Sequence, residues 1–166
     1  MTREFDIRAA TREDAASLLS LIRALAVYEK LEHLCIATEA DLRQALFGAG
    51  ASAEALVARD AGSGEAVGFA LFFHNFSTFL GRRGLYLEDL FVEPQHRRRG
   101  IGKALLQRLA AVALERGCGR FEWSVLDWNQ PAIEFYRSLG AIVMPDWRIV
   151  RMTGPALERF ARDMPR

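Results

Sequence analysis

Cysteine is scarce in this chain, with two residues, Cys35 and Cys118, among 166. They lie far apart, in neither a disulfide framework nor a metal-ligand spacing. Reduced thiols, a cytoplasmic location and no metal are therefore expected. Net charge is equally sparse. The 22 lysines and arginines against 21 acids leave +1, which gives no bulk field to draw the chain to nucleic acid or a membrane. No apolar run reaches the roughly 20 residues of a membrane helix, and Met1 to Asp6 has no apolar signal core. The three histidines, His33, His74 and His96, form no motif. His96, beside three arginines, is expected to stay neutral on a surface loop. There is no repeat, low-complexity tract or linker. What is abundant is ordinary: 51% hydrophobic and 26% charged residues, as in a globular protein. Residues 1–166 suit a single domain with its own core.

The periodicities give an order of elements. Phe5 to Ala9 alternates as a strand. Thr11-Arg12-Glu13-Asp14 has the shape of a capping box, opening a helix to about Tyr28 with Ala15, Leu18, Leu19, Ile22, Leu25 and Ala26 as its apolar stripe. A second cap shape, Thr38 to Asp41, starts a short helix ending at Gly48. Strands follow at 55–58, 67–76 and 85–92, separated by glycine-rich turns. A helix runs from Gly100 to Arg116, with Gly117 as its terminal glycine. Then come a strand at 121–125, a helix from Pro131 to Leu139, strands at 141–144 and 148–152, and a terminal helix at 155–162. The crossover helix implies one parallel strand pair inside a mixed, mostly antiparallel α/β sheet flanked by helices.

The stretch Leu85 to Tyr136 organises the chain. Its strand is stopped by Pro94 and followed by Arg97-Arg98-Arg99-Gly100-Ile101-Gly102-Lys103 at a helix start. Helix N-termini offer unpaired N–H groups and positive potential, and glycines let an anion come close. Two nucleotide loops fail on residues. A P-loop needs glycine where Arg97 stands and a hydroxyl where Ala104 stands. The dinucleotide fingerprint needs glycine at Leu105. An RNA-binding reading of the three arginines is weakened because no aromatics interleave a wider basic face. A plain turn before a helix is the competing reading of the glycines.

The remaining pattern, Arg97-x-x-Gly100-x-Gly102 after a strand, resembles the pyrophosphate loop of the GCN5-related N-acetyltransferases (GNAT). Asp127-Trp128-Asn129-Gln130-Pro131-Ala132-Ile133-Glu134-Phe135-Tyr136-Arg137-Ser138-Leu139-Gly140-Ala141 resembles the second acetyl-CoA block of that family. Leu25-Ala26-Val27-Tyr28-Glu29, Leu85 to Val92 and Trp128-Asn129-Gln130-Pro131 are most similar to the diamine (spermidine/spermine) acetyltransferase branch. The likeness spans about Phe5 to Met152. It implies a sheet splayed open between two parallel strands, with acetyl-CoA in the split. It assigns cofactor contacts to Leu90, Phe91 and Val92 on the central strand, to Arg97, Arg98, Arg99, Gly100, Ile101, Gly102 and Lys103 in the loop, and to Asn129. The oxyanion donor would be a backbone N–H at Leu90. A homodimer is implied, with the last strands at the interface.

Acetylating an amine requires attracting an ammonium, removing its proton and protonating the departing thiolate. Tyr136 follows Asn129 by about two helical turns, roughly 10 Å, and a phenol can give a proton to a thiolate. A half-buried aromatic anchor is the competing reading. Glu88 and Asp89 stand inside an apolar strand, where acids are costly unless paired or functional. They should face opposite sides unless a bulge intervenes. The branch likeness makes Glu88 the catalytic, substrate-facing acid; a salt bridge to Arg82, Arg83 or Arg97 competes. The same likeness adds Tyr28, Glu29, Asp89, Glu122, Trp123 and Ser124 to the acceptor site. The segment from Gly140 to Trp147 is shorter and less acidic than in polyamine enzymes, so a diamine, lysine-like acid or thialysine suits at least as well as a long polyamine. Acetylation of a protein or peptide amine, and a non-catalytic acetyl-CoA sensor, are the rival functions.

Overall fold

The computed structural model describes residues 4–162. It falls into two compact units, 1–124 and 125–166. In the first, five strands pair in sequence order: β1 (Phe5–Ala9), β2 (Glu54–Asp60), β3 (Ala66–Ser77), β4 (Arg82–Val92) and β5 (Phe121–Trp123). All neighbours are antiparallel except β4 and β5, which run parallel through only Leu85↔Phe121, Tyr86↔Glu122 and Leu87↔Trp123. Beyond Leu87 the pairing with β5 ends, and among the described residues of this unit the rest of β4 pairs with β3.

Helices α1 (Ala15–Glu29) and α2 (Glu39–Phe47) cover one face of the sheet. Leu18, Leu25, Leu42 and Leu46 pack there with Val57, Phe69 and Phe91. α3 (Ile101–Glu115) buries Ile101, Leu105 and Leu109 and packs on β3 and β4. The expected first cap is present, with a 3-10 turn (Arg12–Asp14) preceding α1, and Thr38 caps α2. Asp14 lies fully buried beneath that turn, held by Arg8 at 2.8 Å and Arg59 at 2.6 Å and accepting the Thr11 N–H at 2.7 Å.

In the second unit α4 (Gln130–Ser138) starts at Asn129, whose Oδ1 accepts the Ala132 N–H at 3.4 Å, and α5 spans Gly154–Arg162. The strands expected at 141–144 and 148–152 do not form. Backbone groups in a strand need a paired neighbour, and among the described residues none is offered. Ile142, Met144, Trp147, Ile149 and Val150 are exposed. The strand expected at 121–125 likewise ends early, at Trp123.

Candidate functional site

The register of β3 against β4 slips by one residue. Gly68↔Val92 through Leu71↔Asp89 follow one register, and Phe72↔Leu87 onward another. Glu88 is the extra residue, a β-bulge on the central strand. Without it Leu87, Asp89 and Phe91 would share a face. With it Leu87 stays with Phe72, while Asp89 and Phe91 turn to the face covered by α1 and α2. The bulge that the sequence reading allows for is present, and the two acids stand opposite the single Leu71–Phe72 step, Glu88 exposed and Asp89 half-buried.

The electrostatics match that placement. Burial, then the negative charges of Glu88 and Glu29, raise the Asp89 carboxyl to about 6. Glu29, at the end of α1, is itself raised by burial. Glu88 and Glu29 thus both lie within electrostatic reach of Asp89, with no cation offsetting it among the described residues. Glu88 is exposed and forms no ion pair among them, so the competing salt bridge to Arg82, Arg83 or Arg97 is not made. Such a cluster attracts an ammonium, and a carboxyl tuned upward accepts a proton more readily than an ordinary one.

Peptide geometry defines the open edge of β4. The Glu93 N–H donates to Val67 O at 3.0 Å, so the C=O of the same peptide, that of Val92, faces away from β3. Alternation along an antiparallel pair gives Leu90 and Val92 backbone groups facing the side that β5 has left, and Phe91 groups facing β3. The Phe91 ring lies in the core.

Past Pro94, a 3-10 turn leads into the arginine loop. Arg98 (φ 63) and Gly100 (φ 82) are left-handed. None of the backbone N–H groups from Arg98 to Lys103 donates to a protein acceptor among the described residues. Six donors at the start of a 15-residue helix form an anion cradle. Arg98 and Lys103 are exposed beside it. The donor set suits the diphosphate of CoA, and the open edge of β4 suits an extended amide-bearing arm.

The three arginines do not share one task. Arg97 turns inward. Its guanidinium carbon lies 4.7 Å from the Tyr28 ring centroid and 5.7 Å from that of Phe91, and Nε donates to Val92 O at 2.9 Å. Arg99 turns to the other side, onto Asp60, Glu4 and His96. His96, expected as a plain surface residue, is engaged through Nδ1 at 2.7 Å from Arg99 Nη1.

At the β5 end, Glu122 is tied to Arg120 at 2.9 Å and accepts from Asn75 Nδ2 at 3.3 Å. Trp123 tilts against Phe121 with centroids 4.8 Å apart. The Ser124 hydroxyl meets that of Tyr86 at 2.8 Å, and the Tyr86 ring lies 5.2 Å from Phe73. Sequence reasoning passed over Tyr86 as a strand aromatic. Its place two residues before Glu88 was the available signal. In the second unit Asn129 caps α4, and the Tyr136 ring lies 5.6 Å from Phe135.

Gly102 gives a direct check on the cradle. A Cβ there would meet only Val92 Cγ2, at 3.9 Å. Gly102→Ala should therefore fold with equal or higher stability, by up to about 1 kcal/mol from helix propensity. It should nevertheless weaken CoA binding at least about tenfold by obstructing the close approach. Calorimetric titration with CoA alongside thermal melting separates the two effects. Unchanged affinity would remove the cradle as the anion site.

Comparison with known proteins gives the same picture. The Acetyltransferase (GNAT) family profile matches residues 22–141. The chain is 38% identical over 164 residues to the thialysine N-epsilon-acetyltransferase of Sus scrofa, covering 93% of this chain and 96% of that protein. It is 35% identical over 195 residues to L-ornithine N5-acetyltransferase NATA1 of Arabidopsis thaliana, covering 92% and 86%. Among solved structures, an integron cassette protein from the mobile metagenome of V. cholerae superposes with a TM-score of 0.81 at 26% identity, covering 96% of this chain and 99% of that one.

Proposed function

The chain belongs to the GNAT family and is an acetyl-CoA-dependent N-acetyltransferase acting on amines, and on that footing we propose that its acceptor is a small cation bearing a primary amine, a diamine, polyamine or lysine-like amino acid, acetylated by direct attack in a ternary complex. The observation that carries this reading is the cluster of Glu29, Glu88 and Asp89 at the bulge. An alkyl ammonium has a pKa near 10, so it must be drawn in as a cation and then deprotonated. Glu88, exposed at the bulge, meets the cation. Asp89, half-buried beside it and raised toward neutrality, takes up the proton. A bulky acylated peptide is not needed to explain three converging acids, and curated relatives named for ornithine and thialysine favour the amino-acid end of the range.

Acetyl-CoA supplies the activated acyl group as a thioester. The N–H groups of Arg98 to Lys103 hold its diphosphate, and the outward backbone groups of Leu90 and Val92 pair its arm, with the Leu90 N–H as the oxyanion donor. Asn129 contacts the arm, and Tyr136 returns a proton to the sulfur; the likeness of the Asn129–Tyr136 block carries both roles. Tyr28, Glu122, Trp123 and Ser124 complete the acceptor side. We read residues 1–166 as one catalytic domain of a cytoplasmic homodimer, supported by the exposed apolar residues between Ile142 and Val150. Light scattering at one protomer mass would refute the dimer.

The decisive assay is CoA release with acetyl-CoA and ornithine, lysine, thialysine, putrescine, spermidine or a peptide mixture. One small amine should turn over fast. Glu88→Gln should lower kcat/KM for it about a hundredfold, and Tyr136→Phe should lower kcat by a similar factor. Turnover of peptides alone would replace the small-amine reading, and CoA binding without any turnover would leave a sensor.

A further inference from the structure

Arg99 sits between the two left-handed residues of the loop, Arg98 and Gly100. Its sequence position suggests a ligand for phosphate, but every nitrogen of its guanidinium is already engaged. Nη2 donates to Asp60 Oδ2 at 3.0 Å and to the Glu4 carbonyl at 3.2 Å, Nε donates to Glu4 Oε2 at 3.1 Å, and Nη1 lies 2.7 Å from His96 Nδ1. Its side chain is 28% exposed and that of Asp60 17%. Asp60 is a fixed anchor, because its other oxygen accepts the Gly62 and Ser63 N–H groups at 3.0 Å each, closing the β2–β3 turn. Those N–H groups and Arg99 hold its carboxyl down to about 2, so it stays charged at any working pH.

A left-handed conformation is strained for a residue with a Cβ, and Arg98 persists in it only if its surroundings determine it. Arg99 is the adjoining residue and the one loop side chain tied to the far end of β2. We propose that Asp60 is a positioning residue for acetyl-CoA: acting through the Arg99 fork, the β2–β3 turn holds the Arg98–Gly102 backbone in its anion-accepting shape before the ligand arrives. The proposal rests on the loop being the acetyl-CoA site. A loop already ordered spares the ligand the cost of ordering it, so the effect belongs to cosubstrate affinity and not to the chemical step.

The test uses the full chain with Asp60→Asn, which keeps the acceptor oxygen for the turn but removes the charge, Arg99→Met and the double variant. CoA binding is measured by calorimetry and both substrates are varied in initial-rate kinetics. All three variants should raise the CoA dissociation constant and the acetyl-CoA KM by a similar factor, about tenfold, and Asp60→Asn should keep kcat and the amine KM within about twofold of wild type. Arg99→Lys, which keeps the charge without the fork, should fall between. The conservative Asp60→Glu should recover part of the loss. Unchanged or tighter CoA binding in Asp60→Asn would overturn the latch, as would a loss in Arg99→Met that far exceeds it, since Arg99 would then be a phosphate ligand itself. Should Asp60→Asn fail to fold, Arg99→Lys decides, and wild-type CoA affinity there overturns the proposal. A wild-type protein that binds no CoA would overturn both the latch and the reading beneath it, whereas wild-type binding with unaffected variants would sink the latch alone.

Discussion

Asp89→Asn should make the protein more stable and nearly inactive. In the wild type the Asp89 carboxyl is raised to about 6. The sign follows from linkage. A group with a raised native pKa contributes stability that is present below its unfolded value, near 3.9 for aspartate, and lost as pH rises through about 6. Asparagine cannot ionise and does not incur that loss. Above pH 7 the variant should gain about 2 kcal/mol, and below pH 4 the two proteins should melt alike. Catalysis moves the other way. Without the Asp89 carboxylate to take the ammonium proton, kcat/KM for the amine should fall about a hundredfold, and the inflection near pH 6 in its profile should vanish. Melting curves at pH 4 and 8 with a pH–rate profile check both halves. A variant no more stable at pH 8, or one that keeps the inflection, would show that Asp89 neither carries the buried charge nor titrates in catalysis.

Asp14→Asn should produce the largest loss of stability. Its carboxylate is fully buried and joins Arg8, Arg59 and the Thr11 N–H, tying β1, β2 and the turn before α1 together. Burial alone would raise this carboxyl, but the hydrogen bonds from Thr11, Arg59 and Arg8 outweigh it and bring it down to about 2. Removing one member of a buried pair strands the others, and Arg59 Nε already lies buried without a partner. Both arginines keep some exposure, 38% and 29%, so the loss sits at the low end of that range, about 3 kcal/mol, or about 10 °C in Tm for a protein of this size. A lowered native pKa contributes stability that is present above the ordinary aspartate value and lost as pH falls through about 2. The gap between wild type and variant should therefore close on acidification below pH 4. A constant gap down to pH 2 would assign the effect to shape and not to charge.

Most of the architecture was legible because it rests on period and punctuation. The strand at 85–92, the stop at Pro94 and the helix after Gly100 each carry a local signature, α2 begins at the Thr38 cap that the sequence offers, and Thr11 opens the 3-10 turn that leads into α1. What stayed hidden depends on relations between distant segments. The bulge at Glu88 is a mismatch between two strands, and no single strand records it. Arg97, Arg98 and Arg99 are identical as letters, yet one stacks on Tyr28, one is exposed and one reaches Asp60, because their directions follow from the left-handed turn of the backbone. The stretches at 141–144 and 148–152 have strand composition but no strand beside them, and composition cannot supply a neighbour.

The edge that β5 leaves on β4 is also a hazard. A bare strand edge is a template onto which any extended chain can be zipped, the first step of aggregation. In this protein the exposed stretch is guarded at both ends. The kink and paired acids at Glu88 and Asp89 repel an arriving strand at one end, and Arg97 Nε occupies the Val92 carbonyl at the other. Between them lies the short run from Leu90 to Val92, too brief for extended pairing with a foreign strand. The bulge and Arg97 thus shorten the length of backbone that a second chain could pair with.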